Sequence, residues 1–143
     1  MKNASRCFLV AILVAGLIGF VNTGFAGAEG KPTLVVVTPE VDMSKKQTEV
    51  KLKGTGFEPG TTVMILFNDD DGVTQDVGWA LEPEPKADAK GEWETTWDAK
   101  RYMEKKLIKA GEYTIAVSDA NYNELDSKTV KFVGKLPKKK KKK

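Results

Sequence analysis

The sequence predicts an all-β protein: a single antiparallel β-sandwich of about seven strands that follows a cleaved export signal. Short segments rich in β-branched and aromatic residues recur along the chain, and apolar and polar residues alternate within them. Turns containing glycine, proline or aspartate separate these segments. Short strands at regular spacing with turn signals between them are typical of antiparallel sandwiches and barrels.

The first residues have the three parts of a secretory signal. Lys2 and Arg6 precede an apolar run over residues 8–21, and small residues follow as far as Ala28. A membrane-spanning helix needs roughly 20 apolar residues, and this run is shorter. We therefore interpret residues 1–28 as a cleaved signal peptide. We expect a secreted or periplasmic protein that has no transmembrane segment after cleavage.

The remainder divides into one domain, residues 29–135, and a disordered basic tail, residues 136–143. The only cysteine lies within the signal, so the exported chain has no disulfide and depends on an apolar core. The formal net charge of +3 includes six consecutive terminal lysines, so the rest of the chain is acidic. Those lysines are Lys138, Lys139, Lys140, Lys141, Lys142 and Lys143.

Each predicted strand has its own pattern. Val50 and Leu52 lie on one face of segment 48–54 while charged residues lie on the other, and Trp93 and Trp97 share a face further along. Such a period of two indicates a half-buried strand. We predict strands over 33–38, 48–54, 62–68, 74–81 (the weakest), 91–99, 111–119 and 126–134.

A helical pattern interrupts the strands at residues 98–111. Ala99, Met103 and Leu107 follow at intervals of four, Asp98 is a possible cap, and Gly111 could end the segment. These features predict a short helix or helical turn. A turn is predicted over 121–124.

The glycine-rich segment 54–63 raises the question of whether the chain binds a nucleotide. Its glycines follow the spacing G-x-G-x-x-x-G, and β-branched residues follow. A dinucleotide or Walker loop needs a different spacing and a helix start that faces the phosphate. We interpret this segment as a turn between two strands.

Catalytic chemistry is restricted because the chain has no histidine. Imidazole and thiolate mechanisms, and metal or haem sites with those ligands, are excluded for the exported chain. The remaining carboxylate pairs are Glu82 with Glu84 and Glu92 with Glu94, which we interpret as polar surface. We predict a protein that is not an enzyme and needs no cofactor.

Three clustered aspartates, Asp69, Asp70 and Asp71, raise the question of a calcium site. When Gly72 is placed at the sixth position of an EF-hand loop, the first and twelfth positions are not oxygen ligands. Aspartate and glycine also favour hairpin turns. We predict no metal site and retain only weak calcium binding as an alternative.

Four motifs in order resemble the Ig-like domains of bacterial surface and secreted proteins, of the IPT/TIG type. They are VKLKGTGFEPGTTVMI, ADAKGEWETTWDA, KAGEYTIAVSDANYNE and KTVKFV, within residues 32–134. The resemblance implies an Ig-like sandwich without shared catalytic residues, and a role in adhesion, spacing or ligand presentation. It implies a tyrosine near the start of the penultimate strand, Tyr113, bonded to nearby backbone. The predicted core comprises Phe57, Trp93, Trp97, Tyr113, Ile115, Val117 and Phe132.

The lysine tail is the first candidate binding element. A block of like charges often serves as an interaction tail, and each lysine near an anionic membrane contributes about 1 kcal/mol before screening. The alternatives are a solubility tail and an engineered terminus. Nucleic acid is not an expected partner, because no aromatic residues interleave with the lysines and the body is acidic.

Exposed aromatic residues are the second candidate. Trp79, with Tyr122 or Tyr102, could stack on sugar rings, while Met64 and Leu66 could form a docking surface if the structure leaves them uncovered. The leading hypothesis is an interaction or adhesion domain at the cell envelope, whose partner is an envelope polyanion or a surface protein. The alternative is a carbohydrate-binding module whose partner is a polysaccharide.

Overall fold

Two β-sheets pack face to face in the computed structural model, which describes residues 30–138. The predicted signal peptide and the lysines from 139 onward lie outside the described residues. One short helix and two 3-10 turns, Met43–Lys45 and Gly78–Ala80, join the strands. The elements are β1 (Thr33–Val36), β2 (Glu40–Asp42), β3 (Glu49–Thr55), β4 (Met64–Asn68), β5 (Thr74–Asp76), β6 (Leu81–Glu82), β7 (Trp93–Asp98), α1 (Lys100–Glu104), β8 (Gly111–Ser118) and β9 (Glu124–Val133).

The strand order is that of an Ig-like sandwich. One sheet has the order β1-β3-β7-β6 and the other has the order β2-β9-β8-β4-β5. Neighbouring strands are antiparallel except for β2, which pairs in parallel with β9. In Ig domains the same alternation of strands between a four-stranded sheet and its partner produces the sandwich. The predicted all-β, Ig-like fold class is therefore confirmed.

The inner faces of the two sheets form one apolar core. Trp97 is fully buried and its ring lies 4.9 Å from that of Phe67, which belongs to the other sheet. Aromatic pairs of this kind add about 0.5–1.5 kcal/mol to the gain from burial. Every residue of the predicted core is buried, so that prediction is confirmed: Phe57, Trp93, Trp97, Tyr113, Ile115, Val117 and Phe132.

The chain contains more strands than predicted because it changes sheets twice within short segments. The first predicted strand ends before Pro39, and the chain then restarts as β2 on the opposite sheet. The predicted strand 74–81 is wrong as a continuous element. Asp76 accepts a hydrogen bond from the Gly78 N–H at 2.7 Å, which folds the chain into a 3-10 turn before β6.

The helix is shorter than the sequence pattern indicates. It covers only Lys100–Glu104, and Gly111, predicted as its end, is the first residue of β8. Lys106 adopts a left-handed conformation at φ 62°, a conformation that helix interiors do not contain. The segment between Lys106 and β8 therefore runs as a loop.

The segment 54–63 joins β3 to β4 across the two sheets, as predicted. Gly56 has φ 79°, and a Cβ built there would lie 2.7 Å from the Lys31 carbonyl oxygen. Both the positive φ and the close backbone approach require glycine. This segment is a turn, which agrees with the sequence interpretation.

An aspartate ties the edge strand β1 to the opposite sheet. The Leu34 N–H of β1 donates to the Asp126 carboxylate of β9 at 2.8 Å. This bond, with smaller contributions from Lys128 and the Ser127 N–H, holds the pKa of Asp126 below its usual value of 3.8. An N–H group at a sheet edge that would otherwise be open is thereby satisfied.

Strand register divides the sandwich into two ends. Strand β8 starts beside the loop that follows α1 and ends at the hairpin of residues 119–123. We call the first of these the Trp79 end, because Trp79 packs against α1 there. The other is the Tyr122 end. It also holds the turn 88–92, because Phe57 donates its N–H to the Gly91 carbonyl and lines a surface cavity together with Asp119.

Candidate functional site

Trp79 is the most prominent exposed aromatic side chain at its end of the sandwich. It lies in the 3-10 turn Gly78–Ala80, and 60% of its surface is accessible. The turn is fixed by the Asp76 carboxylate on the Gly78 N–H and by the Ala80 N–H, which donates to the Val77 carbonyl at 2.8 Å. The backbone beneath the indole is therefore held by hydrogen bonds on both sides.

A buried tyrosine supports the indole. The rings of Trp79 and Tyr102 are stacked, with centroids 5.6 Å apart and planes inclined by 24°. Tyr102 is itself 3% exposed and contacts the rings of Phe67 and Trp97, so it belongs to the core. Burial raises the pKa of Tyr102 above its usual value of 10.0, and its phenol therefore stays neutral at physiological pH. Trp79 is thus joined to the core through a neutral ring.

Arg101 completes the contact around Trp79. Its guanidinium carbon lies 5.0 Å from the centroid of the indole ring, within the range of a cation–π interaction. Within residues 30–138, none of the salt bridges involves Arg101.

Two shallow cavities flank Trp79, and they differ in charge. The first has a volume of about 280 Å³ and carries only basic and neutral side chains. The second also contains the carboxylates of Asp98 and Glu104. Residues lining the first cavity are Gln75, Trp79, Arg101, Tyr102, Lys105 and Leu107.

Tyr122, the other aromatic residue singled out from the sequence, lies at the opposite end of the sandwich. It is also 60% exposed. It has φ 62°, an uncommon conformation for a residue other than glycine. Within residues 30–138, no aromatic ring stacks against it. The structure therefore does not bring Trp79 and Tyr122 together.

Three hairpin turns share one pattern that the sequence reasoning missed. In 69–73, 88–92 and 119–123, the first residue is aspartate, and its carboxylate accepts the N–H groups two and four residues later. The fourth residue has a positive φ in each turn. It is glycine in two turns and Tyr122 in the third. The signal in the sequence is the spacing D-x-x-G-x, with tyrosine in place of glycine once.

This turn pattern accounts for the three clustered aspartates. Asp69 is buried, and its carboxylate accepts from the N–H groups of Asp71 and Val73 and from the Gln75 amide. Asp70 pairs instead with Lys109. Among residues 30–138, no group of three histidine, cysteine, aspartate or glutamate side chains is arranged to hold a metal ion. We make no calcium proposal at this turn.

Tyr113 fastens the loop beyond α1, as the family resemblance implied. Its hydroxyl oxygen accepts the Lys109 N–H at 2.8 Å, which confirms the predicted bond to nearby backbone. The same hydroxyl lies 3.3 Å from the Asp70 carboxylate. The Lys109 ammonium lowers the pKa of Asp70, and burial raises the pKa of Tyr113. The Trp79 end is thereby tied to the turn 69–73.

The remaining candidates lie elsewhere on the surface. Lys138 is exposed, whereas Lys139 to Lys143 lie outside the described residues. Met64 and Leu66 are half-buried on the outer face of β4. Both predicted carboxylate pairs are exposed, and Glu94 forms a salt bridge with Lys53 at 3.3 Å. Within the described range, no helix has the length and apolarity to cross a membrane.

Comparison with known proteins gives structural likenesses but no family. No family model matches the chain, and no curated protein matches it. A bacterial immunoglobulin-like domain from the M. primoryensis ice-binding adhesin is 19% identical over 73% of this chain and 97% of that chain, with a TM-score of 0.35. A structural likeness with this TM-score is too weak to support a fold assignment. The assignment of the Ig-like fold therefore rests on the strand order.

Proposed function

We propose that the protein is an exported, non-enzymatic Ig-like domain, of the IPT/TIG type, that mediates interaction or adhesion at the cell envelope. The observation that carries this proposal is the presentation of Trp79. Trp79 is 60% exposed, yet its indole is stacked on a core tyrosine and contacted by Arg101. A rigid aromatic side chain loses little conformational entropy when a partner binds.

The charge around Trp79 favours an anionic partner. Residues 100–109 contain five basic side chains and one acidic side chain. Residues 134–138, which lead into the terminal lysines, follow β9 at this same end. We propose that the lysine tail adds a weak electrostatic tether to anionic envelope polymers. Such a tether is screened by salt.

A non-enzymatic role is consistent with how the carboxylates of this chain are used. Asp69, Asp88 and Asp119 hold turns, and Asp126 holds the edge of β1. These groups accept backbone N–H bonds, which fixes them in structural positions. The proposal therefore assigns these four aspartates to folding and the Trp79 end to binding.

The experiment compares the exported protein with a variant that ends at Pro137, in co-sedimentation with purified cell envelope at low and high salt. We expect the variant to retain binding that salt does not abolish, and the whole chain to show an additional component that salt releases. If neither protein sediments with the envelope, the proposal is wrong. If only the whole chain sediments and salt releases it entirely, the tail binds and the Ig-like body does not.

The second candidate function is carbohydrate binding. The observation that favours it is the same exposed indole beside an open cavity of about 280 Å³. Small-molecule sites generally occupy about 300–1,000 Å³, so this cavity suits one sugar ring of a longer chain. Polysaccharide would then be the envelope component that the domain recognises. Tyr122 is not part of this candidate site, because it lies at the other end of β8.

A further inference from the structure

We infer that the cavity beside Trp79 is a subsite for an acidic sugar, with the pyranose ring on the indole and the carboxylate bound by Arg101 and Lys105. This inference rests on the carbohydrate-binding candidate and names its ligand class. The residues that carry it are one aromatic platform and two cations on the same short helical segment.

The indole supplies the stacking surface. The face of an aromatic ring carries partial negative charge, and it attracts the C–H groups on the apolar face of a pyranose. Trp79 keeps 60% of its surface open although Tyr102 and Arg101 contact it. The other two tryptophans of the chain, Trp93 and Trp97, are at most 5% exposed and cannot serve.

Arg101 supplies an anion receptor that is already oriented. A guanidinium that rests on an aromatic ring keeps its planar set of N–H donors at its edge, where they match a carboxylate. No salt bridge in residues 30–138 occupies these donors. A ligand carboxylate therefore displaces none of the salt bridges found among residues 30–138.

The distribution of charge places the anion on one side of Trp79. Arg101 lines both cavities; the one that also contains Gln75 and Lys105 has no carboxylate in its lining, whereas the other contains Asp98 and Glu104. A like charge at short range disfavours an anion. Gln75 adds an amide whose nitrogen donates to Asp69, which leaves its carbonyl oxygen as an acceptor for a sugar hydroxyl.

The test uses two soluble trisaccharides, tri-galacturonate as the acidic probe and maltotriose as the neutral probe. Binding to the exported protein is measured by calorimetry and by acrylamide quenching of tryptophan emission. Trp79 is the only exposed tryptophan of the three, so a ligand that covers it reduces quenching. Tri-galacturonate is expected to bind at least about tenfold more tightly than maltotriose, since its carboxylate forms charge-assisted hydrogen bonds that the neutral sugar lacks.

Four variants separate the site from general electrostatic attraction. Trp79→Ala and Arg101→Ala are each expected to weaken tri-galacturonate binding about tenfold or more, as loss of a stacking or charged contact does. Lys90→Ala removes the same charge as Arg101→Ala but at the Tyr122 end, and Tyr122→Ala removes an equally exposed aromatic ring. Both controls are expected to leave binding unchanged.

Each other outcome overturns the inference in an identifiable way. Equal weakening by Arg101→Ala and Lys90→Ala would show attraction by net charge, and equal binding of both trisaccharides would show that the carboxylate is not recognised. If neither trisaccharide binds while the protein still sediments with envelope, the acidic-sugar inference fails and the proposed function stands. If envelope binding is also absent, both fail.

Discussion

Trp79 and Tyr122 have the same fractional exposure, 60%, but the structure supports them in different ways. Trp79 stacks on the buried ring of Tyr102, and Arg101 lies against it. Tyr122 occupies the left-handed position of a hairpin turn, where the two corresponding turns have glycine. One aromatic side chain is held by the core, and the other is carried by a strained backbone position.

The difference shows that exposure alone does not define a binding residue. A platform for a ligand must also be fixed, because each side chain that becomes ordered on binding costs about 0.5–1.5 kcal/mol. Trp79 meets this condition through ring contacts that reach Phe67 and Trp97 in the core. The following changes break or sharpen this comparison, beginning with the largest expected effect.

Replacing Tyr102 with alanine should remove the ring that supports Trp79. Trp79 would then lack a stacked aromatic ring, as Tyr122 does within residues 30–138. Loss of a buried aromatic ring costs about 3–5 kcal/mol, so we expect the free energy of unfolding in urea to fall by about that amount. Tyr102→Phe keeps the ring and should retain most of the stability. A loss of less than 1 kcal/mol on Tyr102→Ala would mean that this ring is not part of the core.

Replacing Tyr113 with phenylalanine should loosen the loop at the Trp79 end. The change leaves the Lys109 N–H and the Asp70 carboxylate without the hydroxyl. An ordinary hydrogen bond contributes about 0.5–1.5 kcal/mol, so we expect the free energy of unfolding in urea to fall by about that amount. Amide hydrogen exchange should become faster at Lys109 while Asn123, at the Tyr122 end, is unaffected. Equal effects at both ends would contradict the assignment.

Replacing Tyr122 with glycine should stabilise the protein. A residue other than glycine pays about 1–2 kcal/mol for the left-handed conformation, and the substitution removes this cost. Glycine loses more conformational entropy on folding, which costs about 0.5–1 kcal/mol. We therefore expect the free energy of unfolding to rise by at most about 1 kcal/mol. Gly72→Ala, in the matching position of another turn with open space around it, should lose about 1–2 kcal/mol. Thermal unfolding of both variants checks the signs. A destabilised Tyr122→Gly would show that the tyrosine ring stabilises its turn.

Acid should loosen the Tyr122 turn by protonating Asp119. Hydrogen bonds from the side chain and backbone of Asn123 lower the pKa of Asp119 below 3.8. A carboxyl group whose pKa is lower in the folded state stabilises it above the unfolded pKa, and this stability is lost as the pH falls through the folded pKa. Amide chemical shifts of Asn121 and Asn123 should therefore change below pH 3.8. Asp119→Asn should abolish this titration, and an unchanged titration would contradict the role of Asp119.

Residue periodicity predicted the sandwich because each strand has to bury one face. Alternation located β3, β7 and β8, and it identified Trp93 and Trp97 as core residues before any contact was known. The break of segment 74–81 was not predicted, since it depends on one hydrogen bond from Gly78 to Asp76. The helix was overextended because the apolar spacing continues to Leu107, past the left-handed Lys106.

The candidate site was predicted only in part. The sequence singled out Trp79 and named Tyr102 as a possible second exposed ring, which is wrong, because Tyr102 is buried and supports Trp79 from the core. Arg101 was not singled out, because one arginine in a basic segment has no distinguishing local pattern. The predicted pairing of Trp79 with Tyr122 is wrong, because the two residues lie at opposite ends of β8.

The most direct test of the account is the mobility of the Trp79 indole. NMR relaxation of the three tryptophan Nε1–H groups, with Trp79→Phe to assign the signals, measures it in the free protein. We predict an order parameter for Trp79 near the value of about 0.85 that is typical of rigid groups, and a clear decrease in Tyr102→Ala. A value below about 0.6 in the unmodified protein would show a mobile side chain and contradict the claim that Trp79 is a preformed platform.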